Sequence, residues 1–308
     1  MLWRSRAVKV AGSSTLRLAV VVGLLAGCSN AGSSPSAAPS TAASVAASVP
    51  ASAAPTIKAP TSLITAGQLV DCVDIEYPPL EYFPSTAVTD PNAAIGFDVD
   101  AAKAVAKLLG LTITIRNTAF DALIPDLQAG RCDIVWTGLY VSAKRLAVAD
   151  ATPYMATGQV VMVPAGNPQG IKSVTDLCGK AVSIQSGGLV EQRINQASKD
   201  CTAAGKAAIS IQGYPKVPDE FQQIVLGRVQ AVWETDSAVS DWQNRNPGKY
   251  DVAYALAKED SYGVYYQKGK QDIADAIGAA LRALKADGTL AKIAKQYQID
   301  PVTLDSIK

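Results

Sequence analysis

Histidine is absent from this chain of 308 residues. Without an imidazole, the protein cannot form a histidine-based catalytic triad, use histidine as a general acid or base, or build most kinds of zinc site. An excess of one charge is lacking too, because 28 basic residues stand against 27 acidic ones and the net charge is +1. Such a balance gives no sign of a nucleic-acid partner. We therefore expect no metal centre, no nucleic-acid-binding surface and no histidine-dependent catalysis.

The apolar segment near the N-terminus, residues 18–25, is too short to span a bilayer. It follows a basic region, and this order is typical of a targeting segment. The basic residues are Arg4, Arg6, Lys9 and Arg17. Residues 25–28 then read Leu-Ala-Gly-Cys, which resembles the bacterial lipobox, where the cysteine becomes the lipidated first residue of the mature protein. The alternative is an ordinary secretory signal with an incidental cysteine. We predict a lipoprotein signal peptide over residues 1–28, with lipidation at Cys28.

Charge is almost missing from residues 31–60, where Lys58 is the only charged residue. Alanine, serine, proline and threonine dominate this segment, so it cannot bury enough apolar surface to offset the entropy lost on ordering. We predict a disordered tether over residues 29–62. It would hold the folded part of the protein away from the outer face of the cell membrane.

Cysteine is scarce, with five residues, and no two of them have the C-x-x-C spacing of a zinc site. Beyond Cys28 the remaining four are Cys72, Cys132, Cys178 and Cys201. An even number in an exported chain favours disulfides over free thiols, and three pairings are possible. Cys178 and Cys201 lie close in sequence and are the most favoured pair. Cys72 and Cys132 would then pair by default, although the register of their two strands looks offset.

Hydrophobic periodicity predicts two lobes of α/β structure. Residues 69–136 give the order strand, helix, strand, helix, strand, which is typical of a parallel sheet with helices on its faces. The same pattern restarts after residue 173. The extended runs that connect the two regions are residues 159–164, 252–256 and 263–266. The chain would thus cross twice and form a hinge beside a cleft. The predicted boundaries are residues 63–159 and 256–308 for lobe 1, and residues 160–255 for lobe 2.

The segment from Thr137 to Arg145 is the first candidate for a functional site. It follows a short apolar run, residues 134–136, that reads as a buried strand. Ser142 can cap a helix that begins at Ala143, which puts Arg145 in the first turn. A cation there opposes the helix dipole, so one interpretation is that Arg145 and the N–H groups of the turn hold a carboxylate. The alternative is a surface arginine paired with a nearby aspartate.

Several short motifs occur in collinear order between about residues 69 and 300. They are Gly96-Phe97-Asp98-Val99-Asp100, Phe120-Asp121-Ala122-Leu123-Ile124-Pro125, Arg145, Pro153-Tyr154 and Leu284-Lys285-Ala286-Asp287-Gly288-Thr289. Together they closely resemble the amino-acid-binding branch, family 3, of the bacterial solute-binding proteins. The resemblance implies the type II periplasmic-binding-protein fold, in which each of two lobes is a mostly parallel sheet flanked by helices and two strands form the hinge.

The resemblance also implies how a ligand is held between the lobes. In the family, an arginine in the motif that matches residues 138–145 takes the α-carboxylate of the ligand, and this assigns Arg145. The position of Asp74 contacts the ligand side chain, and those of Tyr77 and Phe120 enclose it. Phe120 has an alternative role as core filler beneath the helix that it precedes. The ligand-binding set that we predict is Asp74, Glu76, Tyr77, Phe120, Thr137, Gly138, Leu139, Tyr140, Arg145, Gly188, Leu189 and Asp236.

The chain departs from the family pattern in three places. Tyr140 stands where serine or threonine is usual, so only its backbone N–H could still reach a carboxylate. Residues 187–189 read Gly-Gly-Leu instead of Gly-Thr-Thr, which keeps backbone donors but loses the hydroxyls. The aspartate of the second lobe that normally takes the ligand's α-ammonium has no clear match. Asp236 is our choice for that role, with Glu234 in reserve.

Acidic and aromatic residues outnumber Arg145 around the predicted cleft. The acids are Asp74, Glu76, Glu234 and Asp236, and the aromatic residues are Tyr77, Phe120, Tyr140 and Trp233. This composition suits a cation or a polar zwitterion through charge pairing and cation–π contact. The alternative is that Trp233 fills the core of its lobe and that Glu76 is solvated.

We therefore expect a monomeric, lipid-anchored, extracytoplasmic receptor without a cofactor. It would deliver a polar or cationic amino acid, or a close relative, to the permease of an ABC importer through ligand-driven closure of its lobes. It is not expected to be an enzyme. One alternative is a cyclohexadienyl-type dehydratase on the same fold, with Glu76 or Glu234 as the general acid. The other is a ligand-sensing module for a partner receptor.

Overall fold

The computed structural model describes residues 57–308. The predicted signal peptide, the lipidation site Cys28 and residues 29–56 of the predicted tether lie outside the described residues. Residues 57–62, which we assigned to the tether, are already attached to the folded part. The backbone N–H groups of Thr61 and Ser62 each donate to Asp272 Oδ2 at 2.8 Å. The packed structure thus begins earlier than the boundary predicted at residue 63.

Strands and helices alternate through most of the described chain. The strands are β1 (Gln68–Val73), β2 (Glu76–Tyr77), β3 (Glu81–Tyr82), β4 (Thr112–Asn117), β5 (Ile134–Val135), β6 (Ala149–Thr157), β7 (Gln159–Pro164), β8 (Ala181–Gln185), β9 (Ser210–Tyr214), β10 (Ala231–Thr235), β11 (Tyr250–Ala255) and β12 (Asp260–Gln267). The α-helices are α1 (Phe97–Leu108), α2 (Leu123–Gln128), α3 (Ala143–Leu146), α4 (Leu189–Ala203), α5 (Val217–Val225), α6 (Asp236–Arg245), α7 (Gln271–Ala286) and α8 (Thr289–Gln296). Within residues 57–308, each of these helices falls short of the length and apolar character that crossing a membrane requires.

The first sheet has five strands in the order β4-β1-β5-β12-β6. Strands β4, β1 and β5 are parallel, whereas β12 is antiparallel to both of its neighbours. Helix α1 packs through one face, on which Phe97, Ala101 and Val105 recur every four residues and are all fully buried. This is the strand and helix alternation that the sequence predicts for the first lobe.

The second sheet also has five strands, in the order β11-β7-β10-β8-β9. Strands β10, β8 and β9 are parallel, and β7 is antiparallel to β10 and β11. The chain passes from the first sheet to the second at Gly158, between β6 and β7, and returns between Ala255 and Asp260. Two mostly parallel sheets flanked by helices and joined by two crossings confirm the predicted fold class.

Each lobe contains large buried aromatic side chains. In the first, the rings of Trp136 and Tyr154 lie 5.3 Å apart. In the second, Trp233 is buried and its Nε1 donates to Gln159 Oε1 at 3.0 Å. Trp233 therefore fills the core of its lobe, which was the alternative interpretation of this residue.

Two disulfides join the four cysteines of the described chain, in the pairing that the sequence favoured. Cys178 is bonded to Cys201, with a Cα–Cα distance of 5.6 Å. Cys72 is bonded to Cys132, with a Cα–Cα distance of 5.8 Å. Cys132 precedes β5, where the chain is not yet paired as a regular strand, and this segment absorbs the offset in register.

Two predicted helix starts have different outcomes. The Ser142 hydroxyl accepts a hydrogen bond from the Arg145 backbone N–H, so it caps α3 at Ala143 as predicted. Asp121, which we expected to cap the second helix, instead lies within a 3₁₀ turn, Phe120–Ala122, that leads directly into α2. The side chain of Asp121 makes no capping hydrogen bond there.

Candidate ligand-binding site

The parallel strands of both sheets end at one cavity of about 470 Å³. From the first lobe, Asp74 follows β1 and Asn117 ends β4. From the second lobe, Ser186 follows β8 and Pro215 follows β9. Open α/β sheets bind ligands beyond the carboxyl ends of their parallel strands. The cavity thus occupies the ligand-binding edge of both sheets at once.

Carboxyl groups dominate the charge of this first cavity. Asp74, Glu76 and Asp121 line it, and Lys216 of the second lobe forms an ion pair with Glu76. Burial raises the pKa of Asp74 to about 7, and the charges of Glu76 and Asp121 add to the rise while Lys216 opposes it. With one lysine against three carboxyl groups, the cavity attracts cations, and we call it the acidic chamber.

A second cavity, of about 290 Å³, contains the Arg145 side chain and is called the basic chamber. Lys144, Ser142 and Gln192 also line it, as does Asp121, which borders the acidic chamber too, so two cations stand against one carboxyl group. The Arg145 guanidinium donates from Nη1 to the Tyr140 carbonyl oxygen at 3.1 Å. Arg145 has no acidic partner within salt-bridge distance among residues 57–308. Burial lowers its pKa, and the neighbouring Tyr265 opposes that change. The basic chamber can therefore accept an anion.

The Phe120 ring lines both chambers. On one side the Arg145 guanidinium carbon lies 5.6 Å from the ring centroid. Gly187 of the second lobe borders both chambers as well, and a Cβ built there would be 3.7 Å from the ring. Phe120 is half-buried at the cleft, and it also packs on the core beneath α2. Phe120 thus packs on the core, as its alternative role required, and it also borders the cleft, where its contact with a ligand stays a prediction.

Tyr77 connects the two lobes directly. Its hydroxyl donates to Glu234 Oε1 at 2.9 Å and is also hydrogen-bonded to the Thr235 hydroxyl. Glu234 is buried at the end of β10, and its second oxygen, Oε2, has no hydrogen-bond partner in the described structure. Burial raises the pKa of Glu234, whereas the hydrogen bonds from Thr235 and Tyr77 lower it. Glu234 therefore has one buried carboxyl oxygen without a partner, next to Tyr77, although it lines neither chamber itself.

Thr137 and Gly138 form the floor of the site, but protein groups already occupy their polar atoms. The Thr137 hydroxyl accepts from the Asp74 N–H at 3.0 Å and donates to Glu81 at 2.7 Å. The Gly138 N–H donates to Asp98 at 2.7 Å. With Tyr77 and Phe120, these two residues enclose a cavity of about 10 Å³, which is close to the space of one water molecule. Their contribution to the site is its shape.

Leu139 and Tyr140 serve mainly to attach the site to the hinge. Leu139 is buried in the core beside Cys72, and its carbonyl accepts from the Gly263 N–H. The Tyr140 ring lies 5.2 Å from that of Tyr262, and its hydroxyl donates to the Gly158 carbonyl at 3.3 Å. The Tyr140 side chain therefore points to the crossing between the lobes, away from Arg145.

Asp236, our first choice for the ligand's ammonium group, lies apart from both chambers. Its Oδ1 accepts from the Thr157 hydroxyl at 2.9 Å and from the Gly158 N–H at 3.3 Å. Its Oδ2 forms an ion pair with Lys258 at 2.7 Å. These three partners belong to the crossings between the lobes, so the carboxylate of Asp236 is already satisfied. Glu234, the residue held in reserve, is the one that faces Tyr77.

The Gly188-Leu189 segment reaches the cleft at the start of α4. Gly188 is the N-cap residue, and it lies against the Phe120 ring. Leu189 is half-buried. The N–H of the preceding Gly187, however, donates to Glu191 Oε2 at 2.7 Å. The Gly187 N–H, which we expected to be a donor for the ligand, is therefore already bonded to the Glu191 side chain of α4.

Sequence reasoning missed Glu81, Gln185 and Lys216. Glu81 and Gln185 border the small cavity beside Tyr77, and Lys216 lines the acidic chamber. Gln185 and Lys216 follow from topology, because one ends β8 and the other comes shortly after β9 at the edge where ligands bind. Glu81 gave no comparable signal, since a glutamate in a short segment reads as solvated.

The comparisons with known proteins agree with this geometry. The family described as bacterial extracellular solute-binding proteins, family 3, matches residues 69–300. The L-cystine-binding protein TcyJ of Escherichia coli K12 is 26% identical over 75% of this chain and 82% of its own length. The ABC transporter arginine-binding protein 1 of the same strain is 28% identical over 73% of this chain and 88% of its own length.

Solved structures give the same relationship. An ancestral arginine-binding protein bound to arginine matches with a TM-score of 0.68 and 30% identity, over 75% of this chain and 98% of its own. The ancestral amino acid-binding protein AncCDT-1, described as a precursor of cyclohexadienyl dehydratase, matches with a TM-score of 0.64 and 27% identity, over 75% and 95%. A match that covers most of the described residues, together with two lobes whose parallel strands end at one cavity, establishes that the chain belongs to the bacterial extracellular solute-binding proteins, family 3.

Proposed function

We propose that this protein binds a polar or cationic amino acid, or a close relative, between its lobes and delivers it to the permease of an ABC importer. The observation that supports this most is the opposite charge of the two chambers that share Phe120 as a lining residue. A ligand with a carboxylate at one end and a cationic group at the other would satisfy both. Arginine, which one of these relatives is named for binding, is a molecule of this kind.

Three residues would divide the recognition of such a ligand. Arg145 would take its carboxylate, because the guanidinium is partly buried and has no acidic partner in the described chain. Asp74 would receive the cationic end in the acidic chamber. Glu234 would receive the α-ammonium group in place of Asp236, because its Oε2 is buried without a partner.

Closure of the lobes would be selected by the ligand, since each lobe contributes part of the site. Asp74, Phe120 and Arg145 belong to the first lobe, and Gly187 and Glu234 to the second. A ligand that contacts both lobes stabilises only the closed form. The permease would then receive the closed form, whose outer surface differs from that of the open one.

The predicted anchor completes this function. A lipid on Cys28 would keep the receptor at the outer face of the membrane, close to the importer. In the native host, the wild-type protein should partition into the detergent phase of a Triton X-114 extraction, whereas the Cys28→Ala variant should remain in the aqueous phase. Equal partitioning of the two proteins would remove the anchor from the proposal.

A ligand screen tests the proposed function. The mature protein is mixed with the common amino acids, cystine, guanidino compounds and quaternary amines, and each positive thermal shift is followed by calorimetric titration. We expect one-to-one binding of a zwitterion or cation. Prephenate and arogenate are included in the screen, because steady turnover of either compound would assign the dehydratase activity instead. Binding to no compound with an ammonium or guanidinium group would contradict the proposal.

A further inference from the structure

Two carboxyl groups are buried beneath the turn formed by Thr137 and Gly138. Glu81 belongs to β3 and Asp98 to α1, and both residues have an exposed fraction of 0%. Glu81 Oε1 accepts from the Thr137 hydroxyl at 2.7 Å, and Asp98 Oδ2 accepts from the Gly138 N–H at 2.7 Å and from the Tyr154 hydroxyl. Because Thr137 and Gly138 are adjacent in sequence, the two carboxyl groups hold consecutive residues of one turn.

The backbone brings these two residues side by side. The Asp98 N–H donates to the carbonyl of Leu80, the residue before Glu81, at 2.9 Å. Gly96 has a φ of +130°, and a Cβ built on it would lie 2.8 Å from the Glu81 nitrogen and 2.1 Å from the Leu80 oxygen. Only glycine permits this contact, so the start of α1 rests directly on β3.

Each of the two carboxyl groups has one oxygen atom that accepts no hydrogen bond in the described structure. Glu81 Oε2 and Asp98 Oδ1 are buried and have no hydrogen-bond partner in the described structure. Neither residue forms a salt bridge within residues 57–308. Two neighbouring carboxylates without a cation would repel each other and would each keep a desolvated acceptor. One proton between the two free oxygens removes both problems.

We propose that Glu81 and Asp98 share one proton, donated from Glu81 Oε2 to Asp98 Oδ1, and that this pair positions the Thr137-Gly138 turn for ligand binding. The charge remains on Asp98, because its other oxygen accepts two hydrogen bonds whereas Glu81 accepts one. The pair therefore carries a net charge of about −1 over a wide pH range.

The acidic groups around the pair favour retention of the proton, whereas Tyr154 opposes it. Burial is the largest influence, and it raises the pKa of both Glu81 and Asp98. The charge of Asp98 raises the pKa of Glu81 further, and Asp74 and Asp71 act in the same direction. Tyr154, on β6, donates to Asp98 and so lowers the pKa of that carboxyl. No cation is among the groups that shift either pKa.

The pair is connected to both halves of the proposed site. The Thr137 hydroxyl, held by Glu81, accepts from the backbone N–H of Asp74. Gly138, held by Asp98, begins the segment that leads to the Tyr140 carbonyl, which accepts from Arg145. Glu81 and Asp98 are thus positioning residues that do not touch the ligand. Their role in binding rests on the proposed function, whereas the shared proton does not.

Amide substitutions imitate the shared proton and provide the test. In Glu81→Gln the amide can accept from Thr137 and donate to Asp98, and in Asp98→Asn the new amide can donate to Glu81, so both variants should fold. Glu81→Ala removes the hydrogen bonds. The matched control is Glu259→Gln, since Glu259 is exposed. We expect E81Q to retain the wild-type affinity for L-arginine and E81A to lose about tenfold, the usual effect of one lost partner in a buried network.

Two readouts without ligand follow the proton itself. In infrared difference spectra at about pH 8, where ordinary carboxyls are ionised, the wild type minus E81Q should show the band of a protonated carboxyl, and wild type minus E259Q should not. The melting temperature of the wild type should fall with rising pH above about pH 5 more steeply than that of E81Q. Absence of the band, equal slopes, or failure of both amide variants to fold would each overturn the shared proton. Equal affinity of E81A and wild type would overturn the positioning role alone.

Discussion

Arg145 and Arg245 each place a guanidinium over an aromatic ring, yet their other contacts differ. Arg245 lies 5.4 Å from the Trp242 centroid and forms an ion pair with Asp241, four residues before it. Arg145 lies 5.6 Å from the Phe120 centroid, and its side chain donates to a backbone carbonyl. Arg245 is thus paired with an acid at the surface, whereas Arg145 retains N–H donors for an anion. Arg245 is therefore the natural control for substitutions of Arg145.

Asp74 gives a prediction about pH. Its pKa of about 7 lies above the ordinary value of about 4 for an aspartate. Between these two values the folded protein holds a proton that the unfolded chain has lost, so this residue makes the free energy of unfolding fall as pH rises and level off above about pH 7. Cation affinity should change in the opposite sense and rise by up to about tenfold per pH unit over the same window, because the ionised carboxylate is the binding form.

Urea denaturation and calorimetric titration of the wild type and Asp74→Asn, each across this pH window, check both trends. The asparagine variant should lose part of the pH dependence of stability and most of that of affinity. An affinity for cations that is independent of pH in the wild type would show that Asp74 does not contact the cationic end of the ligand.

Residue by residue, the sequence located the chemistry more reliably than the exact partner. The motifs predicted a cleft that contains Arg145 with acidic and aromatic residues, and Asp74, Glu76 and Phe120 do line a cavity there, but the separate chamber around Arg145 was not predicted. The sequence could not decide between Asp236 and Glu234 as the ammonium ligand. That decision depends on which of the two carboxylates binds Lys258 and the Gly158 N–H at the crossing between the lobes. Such competition between partners is set by tertiary structure.

Among the helices and strands, α3 shows which features the local sequence predicts and which it does not. Ser142 was correctly predicted as its cap, because a hydroxyl before a run of helix formers has a local reason to bond there. The helix has only four residues, however, so Arg145 lies in its first and last turn at once and the dipole argument has little force. Helix length depends on where β6 begins, which the local sequence does not specify.

The turn between β5 and α3 gives a second prediction. Gly138 has a φ of +56°, and an added Cβ would lie 2.9 Å from Leu80 Cδ1 and 3.2 Å from the Tyr77 ring. Gly138→Ala should therefore lower the free energy of unfolding by about 2–4 kcal/mol, from backbone strain together with crowding. The matched control is Gly166→Ala, which has a φ of +78° but nothing within 4 Å, and should cost about 1–2 kcal/mol. Equal losses for the two variants in chemical denaturation would contradict close packing at the site.

The two disulfides predict an order of stabilities. Cys178 and Cys201 close a loop of 23 residues, and Cys72 and Cys132 one of 60. Replacing both cysteines of a pair by serine should cost about 3 kcal/mol for the shorter loop and about 4 kcal/mol for the longer, because the longer cross-link restricts the unfolded chain more. Chemical denaturation of the two double variants measures this difference. A larger loss for the shorter loop would show that native contacts dominate over chain entropy.

For the whole molecule, the two-lobed fold was predictable because the order of strands and helices repeats along the chain and each repeat can bury its own sheet. The contacts between the lobes were not predictable in the same way. Arg193 of α4 forms a bidentate ion pair with Asp260, in which its two Nη atoms lie 2.6 and 2.9 Å from the carboxylate oxygens. The Tyr77 hydroxyl donates a hydrogen bond to Glu234 across the cleft. These pairs join residues 67 and 157 positions apart, so no local pattern reports them.

The molecule as a whole is expected to recognise a ligand by its two charged ends. In the proposed function each end of the ligand would occupy its own chamber, and neither chamber alone would distinguish an amino acid from a simple amine or a simple acid. Removing one charged group of the ligand should therefore lower the binding free energy by as much as removing the residue that receives this group. The loss of binding free energy from removing a ligand group and the loss from removing its partner residue should not be additive when both are removed together.

The most direct measurement is a calorimetric cycle with matched ligands. Wild type, Arg145→Ala and Arg245→Ala are each titrated with L-arginine and agmatine, L-lysine and cadaverine, and L-histidine and histamine, which differ within each pair by the carboxylate. For the pair that binds, we predict that the wild type and R245A lose about 2–4 kcal/mol without the carboxylate and that R145A loses almost nothing more. An R145A variant that binds the amino acid as tightly as the wild type, and still prefers it to the amine, would contradict the account.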